Sequence, residues 1–242
     1  MAKSFWLPPE CREGDFVVFP PEEAHHIINV LRMRSGDRVE VLCLNQRLVV
    51  ELELERVLKG KILSTQEIPA PVIALDLAQS IPRGKKIEDT IKLASQVGIR
   101  RIIPFHSLRS VSRLEGEKVL SKIGRWRKIA EQESQVTGQP PLKIELPLSF
   151  EEILSLKEGY DLRLFFWENG EESLKEALNE ITGPQSALLV VGPEGGFAPE
   201  EAEKARHSGF QVVSLGKRIL RTEIAGIIAS VILLERWGGL GE

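Results

Sequence analysis

At 242 residues, with a formal net charge of -3, 42% hydrophobic and 28% charged residues, the chain can hold one large domain or two modest ones, and its composition fits neither a disordered nor a membrane protein. The longest apolar run, Ile224 to Leu234, is too short to cross a bilayer, and MAKSFWLPPE lacks the apolar core of an export signal, so a cytoplasmic protein without a membrane partner is expected. Cys11 and Cys43 have no His or Cys at ligand spacing and His25 and His26 are adjacent, so neither a disulfide framework nor a metal site is expected.

The chain reads first as a small β-rich domain with one helix. Asp15 to Phe19 is a short strand, and Pro20-Pro21 opens a helix with Glu22 and Glu23 in its first turn, where the helix dipole favours them. That helix carries His25 to Leu31 and ends near Ser35-Gly36-Asp37. Val39, Val41 and Cys43 then alternate along a strand, Asn45-Gln46 is a candidate turn, and Val50, Leu52 and Leu54 alternate along the next strand. The segment IPAP, Ile68 to Pro71, reads as a linker, giving domains at 1–69 and 70–242.

Beyond the linker, strands alternate with helices. Val72 to Ala78 is an apolar strand, Lys85 to Val97 a helix closed by Gly98, and Arg100 to Phe105 a strand. A long helix from about Glu117 to Gln135 follows. Then come helix Phe150 to Leu156, strand Leu162 to Trp167, helix Ser173 to Glu180, strand Ala187 to Val191, helix Pro199 to His207, strand Gln211 to Leu215 and a last helix from Thr222, its expected N-cap, to Trp237. This pattern predicts an α/β fold, a largely parallel sheet with helices on both faces. The last helix is apolar nearly all round, which fits either a core helix or a subunit interface.

Charge is unevenly placed. Residues 81 to 130 hold 13 Lys or Arg against 4 Asp or Glu, while residues 145 to 185 hold 3 against 10. A polyanion such as RNA fits the first stretch; a pair of solvated helix faces is the equal alternative.

Two glycine turns follow apolar strands: GPEGG at 192 to 196 and LGKR at 215 to 218. A dinucleotide fingerprint needs G-x-G-x-x-G and an acid after the next strand, and a phosphate loop needs G-K-[ST]; neither is present, and Glu194 would repel a pyrophosphate. Loops at the carboxyl ends of parallel strands form the ligand crevice of such sheets. A carboxylate there suits a cationic or neutral adenosine compound such as S-adenosylmethionine, although the glycines can also serve as plain tight connections. Three cations, Lys217, Arg218 and Arg221, stand just before an apolar helix, which calls for a nearby anion.

GPEGGF at 192 to 197, followed by LGKRILRTEIA at 215 to 225, resembles the trefoil-knotted SPOUT methyltransferases, and closely the family that methylates N3 of a uridine in small-subunit ribosomal RNA. HHIINVLRMRSGD at 25 to 37 and RWRKIA at 125 to 130 are similar to two further motifs of that family. The resemblance implies an N-terminal PUA-like β-barrel, a C-terminal trefoil knot and S-adenosylmethionine as cofactor. It also implies a homodimer and 16S ribosomal RNA of the small subunit as partner. It places the cofactor at Phe166, Trp167, Gly192, Pro193, Glu194, Gly195, Gly196, Leu215, Gly216, Ile219, Leu220, Thr222 and Ala225. This chain departs from the family pattern in having Ile224 in place of Thr, Gln139 in place of Arg, and Asn45-Gln46 in place of an Asp-Gly turn.

Uridine N3 holds a proton at neutral pH, so methylation there requires a proton acceptor and donors for the charge on O2 and O4. Arg221 or Arg218 is the expected donor, and Glu194 or, with fewer grounds, Glu223 the carboxylate. Arg32, Arg34, Arg83, Lys85, Lys86, Arg109, Arg113, Arg125 and Arg127, with Arg100, Arg101 and Lys128, are the expected RNA contacts. The alternatives are ribose 2′-O methylation or a tRNA target on the same scaffold, and a non-catalytic RNA-binding module.

Overall fold

The alternation read in residues 39 to 54 becomes an antiparallel ladder in the computed structural model, which describes residues 4–54, 56–111, 114, 116–156 and 159–238. Two compact units result. One is Met1–Ala70 with Glu131–Pro141, the other Pro71–Ala130 with Leu142–Glu242. The segment 131–141 is thus grouped with the first unit, where a single break at the linker was expected.

In the first unit the strands are β1 (Ser4–Trp6), β2 (Arg12–Glu13), β3 (Phe16–Val18), β4 (Arg38–Cys43), β5 (Gln46–Leu54) and β6 (Leu58–Glu67), ordered β1-β4-β5-β6-β3-β2. Only β1 and β4 run parallel among these pairs. Val39, Val41 and Cys43 of β4 and Leu48, Val50 and Leu52 of β5 point into a core shared with Phe5, Val17 and Phe19. The turn of the β4–β5 hairpin is Leu44-Asn45, one residue earlier than expected, because Cys43 pairs with Gln46. The expected helix is α1 (Pro21–His25) running into a π-helical turn, His26–Val30. Leu31 N–H closes that turn on the His26 carbonyl at 2.9 Å. Arg47 Nη2 donates to the Gly138 carbonyl at 2.8 Å, tying segment 131–141 to β5.

The second unit is built on a sheet of parallel strands. Its central members are β7 (Ala74–Ser80), β8 (Arg101–His106), β11 (Leu162–Phe166), β13 (Ser186–Val191) and β14 (Gln211–Ser214), in the order β8-β7-β13-β11-β14. Two-residue strands β9 (Lys143–Ile144), β10 (Leu148–Ser149) and β12 (Glu172–Ser173) extend the edges. One face packs on α2 (Lys86–Val97), α3 (Glu117–Thr137), α5 (Leu174–Asn179) and α7 (Thr222–Arg236), with Ile87, Ile91 and Ala94 of α2 and Ile123, Trp126 and Ala130 of α3 buried at helical spacing. The other packs on α4 (Phe150–Ser155) and α6 (Pro199–His207) around Phe105, Phe150, Phe165 and Phe197. Gly226 lets α7 sit against β7, since a Cβ there would lie 2.7 Å from a Leu77 methyl.

Polar residues of β7 need partners because the strand is paired on both sides and covered on both faces. Asp76 is fully buried. It accepts from Arg100 Nε at 2.8 Å and Nη2 at 2.6 Å, from Arg101 Nε at 2.5 Å and from the Tyr160 hydroxyl at 2.5 Å. Burial pushes the Tyr160 phenol up, and its bond to Asp76 adds to that. This network stands toward the start of β7, and the remaining polar residues, Gln79 and Ser80, stand at its carboxyl end.

Candidate active site

The carboxyl ends of β7, β11, β13 and β14 lead into the loops 81–85, 167–171, 192–198 and 215–221. Gln79, fully buried near the end of β7, bonds to the residue that follows the last of these loops. Its Nε2 donates to Thr222 Oγ1 at 2.9 Å and to the Ser80 carbonyl at 3.0 Å, while Thr222 Oγ1 donates to the Gly192 carbonyl at 2.5 Å. Gln79 Oε1 is buried with no hydrogen-bond partner among the described residues. The helix N-cap is Arg221, and Thr222 is the first helical residue. The Thr222 hydroxyl therefore does not cap the helix as expected: a buried carbonyl and a buried amide engage it first.

The first glycine turn is held from every side. Gly196 N–H donates to the Pro193 carbonyl at 3.0 Å, closing a β-turn. Gly196 has φ +65, and a side chain there would meet the Glu168 carboxylate. Glu194 Oε1 accepts from Lys86 Nζ at 2.9 Å and from the Arg83 N–H at 3.1 Å. Burial pushes the Glu194 carboxyl up, but the Lys86 ammonium and backbone N–H groups outweigh it, so its pKa is lowered overall. Arg109 Nη1 donates to the Gly195 carbonyl at 2.9 Å, and Trp167 Nε1 to the Phe197 carbonyl at 3.3 Å. Phe197 is buried with its ring 4.1 Å from that of Phe165. Beneath the turn, the carboxylate of buried Glu201 accepts from the Ala198 N–H and the Leu108 N–H, both at 2.9 Å.

The second turn is the opposite. Gly216 adopts φ +104, Lys217, Arg218, Ile219 and Arg221 are exposed, and Ile219 is 88% exposed. Arg221 Nη1 is 4.0 Å from Glu223 Oε1, beyond hydrogen-bond reach. Glu223 Oε2 is buried and has no hydrogen-bond partner among the described residues. Leu215, Leu220 and Ala225 are half-buried, and Phe166 is buried at the end of β11.

The expected cofactor positions therefore converge on one end of the sheet, whereas the expected RNA cations do not. Arg83, Lys85 and Lys86 lie on these loops or their borders, and Arg109 reaches the Gly195 carbonyl from the loop after β8. Arg125 Nη2 is bound to Glu88 at 2.9 Å, Arg127 donates to the Ile144 carbonyl at 3.0 and 3.1 Å, and Arg100 and Arg101 are held by Asp76. Arg113 lies outside the described residues. Arg32 and Arg34 are exposed in the first unit, where Arg32 takes φ 56. Sequence reasoning missed Gln79, Glu168 and Glu201. Gln79 had a readable signal: a polar residue in the apolar strand ALDLAQS must find a partner or a ligand. Glu201 also had one, at capping-box spacing from the residue before the helix.

The chain matches the RNA methyltransferase domain family over residues 69–234 and the RNA methyltransferase PUA domain over residues 19–47. It is 32% identical over 223 residues to the ribosomal RNA small subunit methyltransferase E of Bacillus subtilis (strain 168), covering 86% of this chain and 85% of that one. The protein of the same name from Aquifex aeolicus (strain VF5) is 27% identical over 230 residues, 93% of this chain and 97% of that one. The fold is that of the Neisseria gonorrhoeae ribosomal RNA small subunit methyltransferase E crystallised with S-adenosyl methionine, at a TM-score of 0.86, 24% identity and 98% coverage of both chains. With a family match spanning most of its length and a curated relative above 30% identity, the chain belongs to the RNA methyltransferases of the ribosomal RNA small subunit methyltransferase E family.

Proposed function

We propose that the protein transfers a methyl group from S-adenosylmethionine to N3 of a uridine in 16S ribosomal RNA of the small subunit, in the cytoplasm. The observation that carries the cofactor reading is the buried, unpartnered Oε1 of Gln79 at the strand ends. An acceptor without a donor fits a ligand rich in N–H and O–H groups, and S-adenosylmethionine has both. The glycine turns offer backbone groups, and Leu215, Ile219 and Leu220 offer apolar surface for an adenine. When bound, the cofactor supplies an electrophilic methyl group on a positively charged sulfur.

The residues of the chain divide the remaining tasks. Gln79 and Thr222 hold the Gly192 carbonyl against the start of α7, which fixes the distance between the two turns. Glu194, tied to Lys86 and the Arg83 N–H, keeps the first turn in shape. Arg221 and Arg218, exposed beside it, are free to donate to the uracil oxygens as negative charge develops on them. Arg83, Lys85 and Arg109 border the same loops and supply phosphate contacts, as do Arg32 and Arg34 of the first unit.

A homodimer completes this reading. Ile224 and Ile232 stand exposed two turns apart on α7, the helix that follows the second turn, and a second copy would cover them. The trefoil knot belongs to it as well. The chain passes from β13 over β11 to β14, and α7 returns to pack on β7 and β13.

The test uses small subunits from a strain lacking the gene, incubated with the purified protein and labelled cofactor. Nucleoside mass spectrometry should find N3-methyluridine in 16S ribosomal RNA. Label on a ribose, or on no ribosomal nucleoside, would refute the proposal.

A further inference from the structure

The first turn carries one carboxylate and the start of α7, just past the second turn, carries another, and only the first is engaged. Glu194 has a lysine at 2.9 Å and a backbone N–H at 3.1 Å on the same oxygen. Among the described residues, Glu223 has a buried oxygen with no hydrogen-bond partner and a second oxygen 4.0 Å from a guanidinium that is itself 81% exposed. A first-turn glutamate that only capped α7 would accept from one of the orphan N–H groups there. Glu223 makes no such bond among the described residues, and a buried carboxylate oxygen left bare is costly unless a donor arrives.

Arg221 and Glu223 together match a particular base edge. Uracil presents acceptor, donor, acceptor: O4, N3–H and O2. A guanidinium beside a carboxylate presents donor and acceptor side by side, so Arg221 can donate to one carbonyl while Glu223 accepts from N3–H. Cytosine, with an acceptor at N3, would meet the carboxylate with a lone pair and be repelled. The pair thus combines selection of the base with removal of the proton that blocks reaction at N3.

We propose that Glu223 is the catalytic base, accepting the uracil N3 proton while Arg221 holds the adjacent carbonyl oxygen. This deepens the uridine-N3 reading and rests on it. As the N3–H bond breaks, its proton passes to the Glu223 carboxylate. The N3 electron pair forms the bond to the methyl carbon, and the pair of the broken carbon–sulfur bond stays on sulfur. Glu194 remains the anchor of the first turn.

The experiment compares wild type, Glu223→Gln and Glu223→Ala on undermethylated small subunits, with nucleoside analysis of the wild-type product run alongside. Removing a general base should lower kcat by about 100-fold or more in Glu223→Gln. Dissociation constants for S-adenosylmethionine, by calorimetry, and for subunits should stay within about threefold, because the group acts in the transition state. Acetate should restore part of the rate of Glu223→Ala, which a structural defect would not allow. A Glu223→Gln kcat within about threefold of wild type, or a loss of cofactor affinity matching the loss of rate, or no acetate rescue, overturns the proposal. A wild-type product other than N3-methyluridine overturns the uridine-N3 reading instead, and is seen in a separate arm.

Discussion

The two glycine turns at the strand ends look alike in sequence and differ in how they are held. GPEGG is pinned by side chains from four other segments: Lys86, Arg109, Trp167 and, beneath it, Glu201. LGKRILR has its cations and Ile219 in solvent, and it meets the rest of the unit through half-buried Leu215 and Leu220 and the Thr222 latch just beyond it. A turn whose polar groups are engaged contributes shape, while one whose groups stand free contributes recognition and chemistry. Substitutions in the first should therefore register in stability, and substitutions in the second in binding and rate.

The largest stability effect should come from Phe197→Ala. Phe197 ends the first turn inside the aromatic cluster of Phe105, Phe150 and Phe165. Truncating a buried phenylalanine costs about 3–5 kcal/mol through lost burial and the cavity left behind. Denaturant unfolding should show a lowered midpoint with an unchanged slope, and a loss under about 1 kcal/mol would mean that the turn is not anchored by its ring.

Thr222→Val tests the latch between the turns. It keeps the side-chain volume but removes the hydroxyl's bonds to the Gln79 amide and to the Gly192 carbonyl, which keeps only the long 3.5 Å approach of Gln79 Nε2, a cost of about 1–3 kcal/mol. Thr222→Ser, which restores the hydroxyl, should recover most of it. If valine and serine behave alike, the latch bears no load and the turns are positioned independently.

Much of this arrangement was legible in the sequence, and what was not has identifiable causes. The strands and helices of the second unit announce themselves by period, and α6, Pro199–His207, falls where its flanking signals put it. β6 was missed because half of it faces solvent without alternation: Leu63 is 43% exposed, and Ser64 to Glu67 are exposed and polar. Its existence depends on hydrogen bonds to β5, across a register shift at Val49/Val50, rather than on its own pattern. The π-helical turn was hidden for the converse reason, since HHIINVL reads as an ordinary apolar helix. The two glycine turns do follow strands as read, yet sequence could not separate the engaged carboxylate from the free one. Lys86 reaches Glu194 from 108 residues away in the chain, and only folding brings them together.

The Lys86–Glu194 pair should have a smaller effect, with a defined pH dependence. Both side chains are partly exposed, so Glu194→Gln should cost only about 0.5–1 kcal/mol at pH 7. The carboxyl is lowered in the folded state from an ordinary value of 4.5. Its contribution is therefore complete above that value and disappears as pH falls through the folded-state pKa. Wild type and variant should differ in midpoint at pH 7 and converge in acid below the ordinary carboxylate range. A constant gap at all pH values would show that the amide perturbs the turn sterically.

Ile219→Ala should have the smallest effect on stability and is the sharpest test of the contrast. The side chain is 88% exposed, so its removal changes little buried area and should move the unfolding free energy by less than about 0.5 kcal/mol. With the second turn as a wall of the cofactor pocket, the same substitution removes apolar surface that becomes covered only when ligand binds. Three carbons lost from such a contact, at about 0.8 kcal/mol each, set an upper limit near 2.4 kcal/mol, and partial contact would bring this to about a tenfold weaker dissociation constant. Calorimetry with S-adenosylmethionine and a thermal melt of the same preparation separate the two quantities. A shifted melt with unchanged affinity would reverse the assignment, making the exposed turn a structural element and sending the search for the adenine to the first.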